Sequence, residues 1–178
     1  MVEKINEADI IEQLNVAPSV RGFFIAAVDI FEQSVDSLVQ RIFRSDYLAV
    51  KAVINPLLES SGPLGNLSVR IKLLFGLGVI PDAVYHDIET IIRLRNQLNK
   101  DGTEYHFTDP KILDAIKKIS ALSQMGILQL TPPMIDEEAD VAFYQLQLNR
   151  QQQVIKSSLS LAIVDICNTL NIESPFTT

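Results

Sequence analysis

The side chains with chemical potential in this chain are few. His86 and His106 are its two histidines, and they fall on different predicted elements. Asp101, Glu104, His106 and Asp109 lie close together in sequence, but they read as a solvated loop rather than a metal set, since ligands must converge from fixed spacings. No Ser-His-Asp set, phosphate-cradling glycine loop or dinucleotide fingerprint is present. Gly76-Leu77-Gly78 lacks the preceding strand that a dinucleotide loop needs. Cys167 stands among Val164, Asp165, Ile166 and Asn168 without a basic neighbour, so it reads as a small buried apolar side chain. No catalytic residue, metal or cofactor is expected, and the chain does not read as an enzyme.

One polar group stands out. Over 81–99, Val84, Ile88, Ile91 and Leu98 form one helical stripe, and Arg95 falls on it, with Asn99 one turn further along. His86, Glu89, Arg93 and Gln97 fall on the outer face by the same counting. An arginine that points inward must be paired or must face a cleft, because burying it alone is costly. Two roles stay open for it: a tie to a buried carboxylate or helix-end carbonyls, or an anion contact. Arg70, Arg95, Asn96, Asn99 and Lys100 are the candidate functional cluster.

The elements that position these residues are helices. Residues 3–15 form a short amphipathic candidate, peripheral to the rest, broken by Pro18. Residues 19–43 repeat Val20, Phe23, Phe24, Ala27, Val28, Phe31, Val35, Leu38 and Ile42 at three and four, a core helix that Ser19 can cap. Asp46 caps a helix over 46–58, ending at Ser60-Ser61-Gly62-Pro63. A helix over 64–77 buries Leu64, Leu67, Ile71, Leu74 and Phe75. Gly78 suits a left-handed end and Pro81 a first turn. Asn99-Lys100-Asp101-Gly102 stops the next helix, and Asp109-Pro110 opens one over 110–123. Residues 127–130 suit a short strand. Glu137-Glu138 favour the start of a long final helix over 136–172, with Val141, Tyr144, Leu148, Ile155, Leu159, Ala162, Ile166 and Leu170 inward and a break near Gln151-Gln152-Gln153. The fold class expected is all-α: a single-domain bundle, 1–178, of about six to seven helices with a long C-terminal one.

Charge narrows the partners. The net charge is −7, distributed as −4 over 1–65, +1 over 66–118 and −4 over 119–178. An acidic surface repels a phosphate backbone, so direct DNA binding is not expected. A helix-turn-helix over 66–93 would lead its reading helix with Asp82, His86, Asp87 and Glu89, the wrong sign for that task. No run of about 18 uncharged apolar residues exists to span a membrane. A lone cysteine and an N-terminus without a signal-type apolar core fit the cytoplasm. Long apolar helices also allow a homodimer.

The chain resembles the bacterial mannitol operon repressor family. The matching blocks are Val20-Arg21-Gly22-Phe23-Phe24-Ile25-Ala26-Ala27-Val28, Arg41-Ile42-Phe43-Arg44, Ala49-Val50-Lys51, and Gly62-Pro63-Leu64-Gly65-Asn66-Leu67-Ser68-Val69-Arg70-Ile71-Lys72 with Leu77-Gly78-Val79-Ile80. Leu94-Arg95, Leu98-Asn99, Asp101-Gly102, Glu104-Tyr105, Phe107-Thr108-Asp109, Gln147, Arg150 and Gln152-Gln153 continue it. The resemblance implies a helical cytoplasmic regulator that lowers expression of mannitol uptake and catabolism genes, acting through a protein partner. A wider similarity is to HEPN-type helical domains, which carry Arg-Asn, three further residues and then a histidine at the end of a helix. Here Lys100 stands in its place after Arg95-Asn96, which implies a nucleic-acid or nucleotide binder without RNase activity.

Overall fold

In a computed structural model that describes residues 4–43, 48–124 and 140–171, every regular element is helical. In chain order these are α1 (Glu7–Asn15), α2 (Val20–Ile42), α3 (Leu48–Leu58), α4 (Leu67–Gly76), α5 (Asp82–Lys100), α6 (Pro110–Ile116), α7 (Ser120–Ser123) and α8 (Val141–Leu170). The Asp46 cap, the 127–130 strand and the Glu137-Glu138 start lie outside the described residues.

Local chemistry sets the starts. Asn6 accepts from the Asp9 amide at 2.8 Å, Ser19 from Gly22 at 3.0 Å, Asn66 from Ser68 at 2.8 Å and Asp140 from Ala142 at 3.0 Å. Gly78 has φ of 71°, the left-handed conformation expected for it, and lets the chain turn from α4 into α5. Pro81 precedes α5 as its N-cap rather than opening the first turn. The helix expected over 110–123 is two, α6 and α7, separated at Lys117–Ile119.

The core is built on α2. Phe23, Phe24, Phe31, Val35 and Leu38 are fully buried, and Phe107 from the loop after α5 packs edge-on against Phe23 with centroids 5.3 Å apart. The α5 face buried in the core contains the stripe expected: Ile88, Ile91 and Leu98 are buried and Val84 is half-buried. Its buried arc widens to Asp87 and Leu94 on one side of that stripe and to Ile92 on the other. The N-terminal helix, expected at the periphery, sends Ile10 and Leu14 into the core. Phe75, expected inside, is exposed and stacks on Tyr85 at 4.6 Å, and Leu64 is half-buried.

Two helices depart from this plan. α3 is rich in Leu, Val and Ala, yet none of its residues is buried. α8 is continuous through Gln151–Gln153 rather than broken, and its 30 residues span roughly 45 Å. Its first buried residue is Ile155, so Val141–Val154 is an arm that outruns the body, with Val141 exposed and Tyr144 and Leu148 half-buried. Among the described residues, the apolar repeat of α8 continues beyond the part that its neighbours bury.

Candidate functional site

The polar residues singled out from the sequence divide between two ends of α2. At its C-terminal end, Arg70 reaches inward from α4 and is buried. Its Nε donates to the Leu64 carbonyl, one terminal nitrogen donates to the Leu58 carbonyl at 2.7 Å, and the other pairs with the Asp36 carboxylate of α2. The loop it holds is tightly wound: the Leu64 amide donates back to the Leu57 carbonyl at 2.8 Å. A Cβ on Gly62 would strike the Pro56 and Leu57 carbonyl oxygens, and one on Gly65 those of Glu59 and Ser60. The Gly62-Pro63-Leu64-Gly65 block is therefore a steric requirement of a loop drawn around one guanidinium.

At the other end, Arg95, Asn96, Asn99 and Lys100 share the last turns of α5. Arg95 is half-buried, within the buried arc between Ile88 and Ile91, and its Nε is enclosed without a hydrogen-bond partner. Asn96, Asn99 and Lys100 are exposed. Asn99 is exposed although it falls between Ile88 and Ile92 around the helix; it stands in the last turn of α5, two turns past Ile92. On the side counted as outer, His86, Arg93 and Gln97 are exposed and Glu89 is half-buried.

The α5 terminus is held by a residue that helix counting did not single out. Arg21, on the first turn of α2, donates to the carbonyls of Leu98 at 3.0 Å, Asp101 at 2.6 Å and Thr103 at 3.2 Å, and lies 3.7 Å from Glu104. A guanidinium at a helix C-terminus satisfies orphan carbonyls and complements the dipole. Arg21 and Asp36 are 15 residues apart on α2, about 22 Å along its axis, so Arg70 and the α5 terminus are separate sites.

Beside Arg21, Asp101 accepts from the Tyr105 hydroxyl, from Lys111 Nζ at 2.8 Å and from the Thr103 amide at 3.1 Å. Those bonds, with Lys111 foremost, hold its carboxyl well below the usual carboxylate range, and the same contact raises Lys111. Lys111 Nζ also sits 4.7 Å over the Tyr105 ring. Asp87 is the other carboxylate that the sequence pattern hid. It is 2% exposed and accepts from the Ser120 and Ala121 amides at 2.7 and 3.1 Å, capping α7 from across the core. Burial pushes the Cys167 thiol up to about 11, so the thiolate that reacts is suppressed. Among the described residues, no three His, Cys, Asp or Glu side chains are placed to share a metal ion, and no helix is long and apolar enough to cross a membrane.

These arrangements brace helix ends and loops; none lines up a nucleophile, a base and an oxyanion site. A family model described as the mannitol repressor matches residues 6–171. The mannitol operon repressor of Escherichia coli (strain K12) is 39% identical over 170 residues, 96% of this chain and 85% of that protein. A more distant relative, fumarase E of the same strain, is 26% identical over 125 residues, 70% of this chain and 74% of that one. Among solved structures, the chain described as the MtlR-HPr complex from Escherichia coli superposes with a TM-score of 0.86 at 38% identity, over 93% of this chain and 98% of that chain. The comparisons favour the regulator over the HEPN-type nucleotide binder.

Proposed function

The chain belongs to the mannitol repressor family, and from that premise we propose that it lowers expression of mannitol uptake and catabolism genes by contacting another protein, not by reading an operator. The observation that carries this reading is that the similar Escherichia coli chain was solved as a complex with HPr. A partner of HPr type is the first candidate for this chain. Charge supports the protein route. The exposed face of α5 opens with Asp82 and His86, which hold each other at 3.4 Å, and Arg93 is paired with Glu89. On a chain of net charge −7, that face offers phosphates little attraction.

Asn96, Asn99 and Lys100 belong to the same reading as polar, solvent-facing groups that a partner can engage, with Arg95 beneath them. Arg70 acts from within the fold instead. The protein works here as a regulator without turnover of its own.

Titration calorimetry of the purified protein with the HPr of its own cell tests the partner. Mobility shift of a mannitol promoter fragment across a salt series tests the route. Binding of HPr with only weak, salt-suppressed DNA binding is the expected pair of results. Tight, sequence-specific DNA binding by the pure protein would overturn the indirect route. Hydration of fumarate by the pure protein would overturn the non-enzymatic reading.

A further inference from the structure

The outer face of α8 carries an apolar stripe that the described residues leave exposed. Phe143, Leu146, Val154 and Leu161 are 56%, 54%, 46% and 53% exposed. Their spacings of 3, 11 and 18 residues from Phe143 return to one side of a straight helix, so the four fall within about 80° of arc. Arg150 lies between them on the same side. The stripe runs about 27 Å, from the free arm onto the half of α8 that is anchored by Ile155, Leu159 and Ile163.

We propose that this stripe pairs with the same stripe of a second copy, antiparallel, about a two-fold axis level with Gln152. In that register Phe143 opposes Leu161 and Arg150 opposes Val154, because each pair is placed symmetrically about position 152. Phe143 of each arm thus meets Leu161 in the anchored half of the other copy, while Leu146, opposite the buried Ser158, packs beside that pair. This is the self-complementarity that a two-fold interface demands.

Charge selects a copy over a charged partner. Of 22 acidic residues in the chain, none lies between Val141 and Val164. Two chains of net charge −7 repel over most of their surfaces, and here they meet without a carboxylate on α8. The stripe's one cation faces an aliphatic side chain, which its methylene stem can cover while the head stays in water. A strongly charged partner would find one group to pair with.

Area sets the strength. A helix about 10–12 Å wide in contact over about 27 Å covers roughly 300 Å² per copy, about 600 Å² in all, against about 1,200–2,000 Å² for a stable complex. The pairing is therefore weak and concentration-dependent.

Sedimentation velocity of the full chain from about 10 µM to about 1 mM spans the range in which such contacts assemble. The average mass should rise toward that of a dimer. Phe143→Ser and Leu161→Ser, both at exposed positions, should each weaken the dissociation constant about tenfold or more without lowering the melting temperature. Val154→Glu fixes the register: it places a carboxylate opposite Arg150 of the other copy, so the dimer should persist and become salt-sensitive. A chain that stays monomeric at about 1 mM, or that pairs only with HPr through this stripe, overturns the proposal. So does a dimer indifferent to Phe143→Ser, or one that Val154→Glu disrupts as Leu161→Ser does.

Discussion

Replacing Arg70 with alanine removes the group around which the α3–α4 loop is wound. Two charge-assisted hydrogen bonds go with it, to the Leu58 and Leu64 carbonyls. Bonds of that kind contribute about 1.5–3 kcal/mol each. Both are only partly buried, so water replaces part of the loss and the lower half of that range applies. The Asp36 pair adds little: that carboxylate is 43% exposed, and solvent screens it to the level of a surface bridge, about 0–1 kcal/mol. The expected cost is about 3–4 kcal/mol, a fall of about 10 °C in melting temperature for a chain of this size. The chain has no tryptophan, so urea unfolding is followed by far-UV circular dichroism. Asp36→Asn should cost less than about 1 kcal/mol. Arg70→Lys should fall between, because an ammonium lacks the fork that reaches two carbonyls and a carboxylate together. An Arg70→Ala protein within about 1 kcal/mol of the parent would refute the reasoning, as would an Asp36→Asn cost equal to it.

Asp87→Ala should destabilise by about 2–3 kcal/mol, since two α7 amides lose a buried acceptor, and hydrogen exchange should quicken at Ser120 and Ala121. The two glycines at the end of α4 should behave oppositely: Gly78→Ala costs about 1–2 kcal/mol at its positive φ. Gly76→Ala, with open space around its Cβ, is neutral or stabilising by up to about 1 kcal/mol in the same melts. Asp101 has a folded pKa below its unfolded value near about 4, so its contribution is complete above that pH and is lost as pH falls through the folded value. Asp101→Asn should flatten the acid limb of the stability curve, and the carboxyl carbon-13 shift of Asp101 should not move as pH passes about 4.

The helices themselves were legible because their signals are local. The Ser19 cap, the left-handed Gly78 and the phenylalanine repeat of α2 depend on neighbours within a turn or two. What escaped depends on distant neighbours. Asp87 looked like a surface acid because its partners, Ser120 and Ala121, lie 33 and 34 residues away. The α5 stripe itself was legible, with Ile88, Ile91 and Leu98 buried; the widening of the buried arc to Asp87 was not. Arg70 and Arg95 both read as basic residues next to apolar ones. Only the carbonyls of a loop 6 and 12 residues upstream distinguish the first, and an enclosed Nε the second. The arm of α8 keeps a core repeat where the body has ended, which no periodicity can report.

The absence of any buried residue in α3 has a kinetic meaning. Leu58, half-buried at its C-terminal end, packs against the core, and Arg70 holds that same end of the helix through the Leu58 and Leu64 carbonyls. Its opening free energy is thus set by a few backbone bonds and the hold of one guanidinium rather than by the global unfolding barrier. A protease at low concentration should nick the chain within α3 while α2 and α5 stay protected, which makes this helix an independent cooperative unit within an otherwise single core.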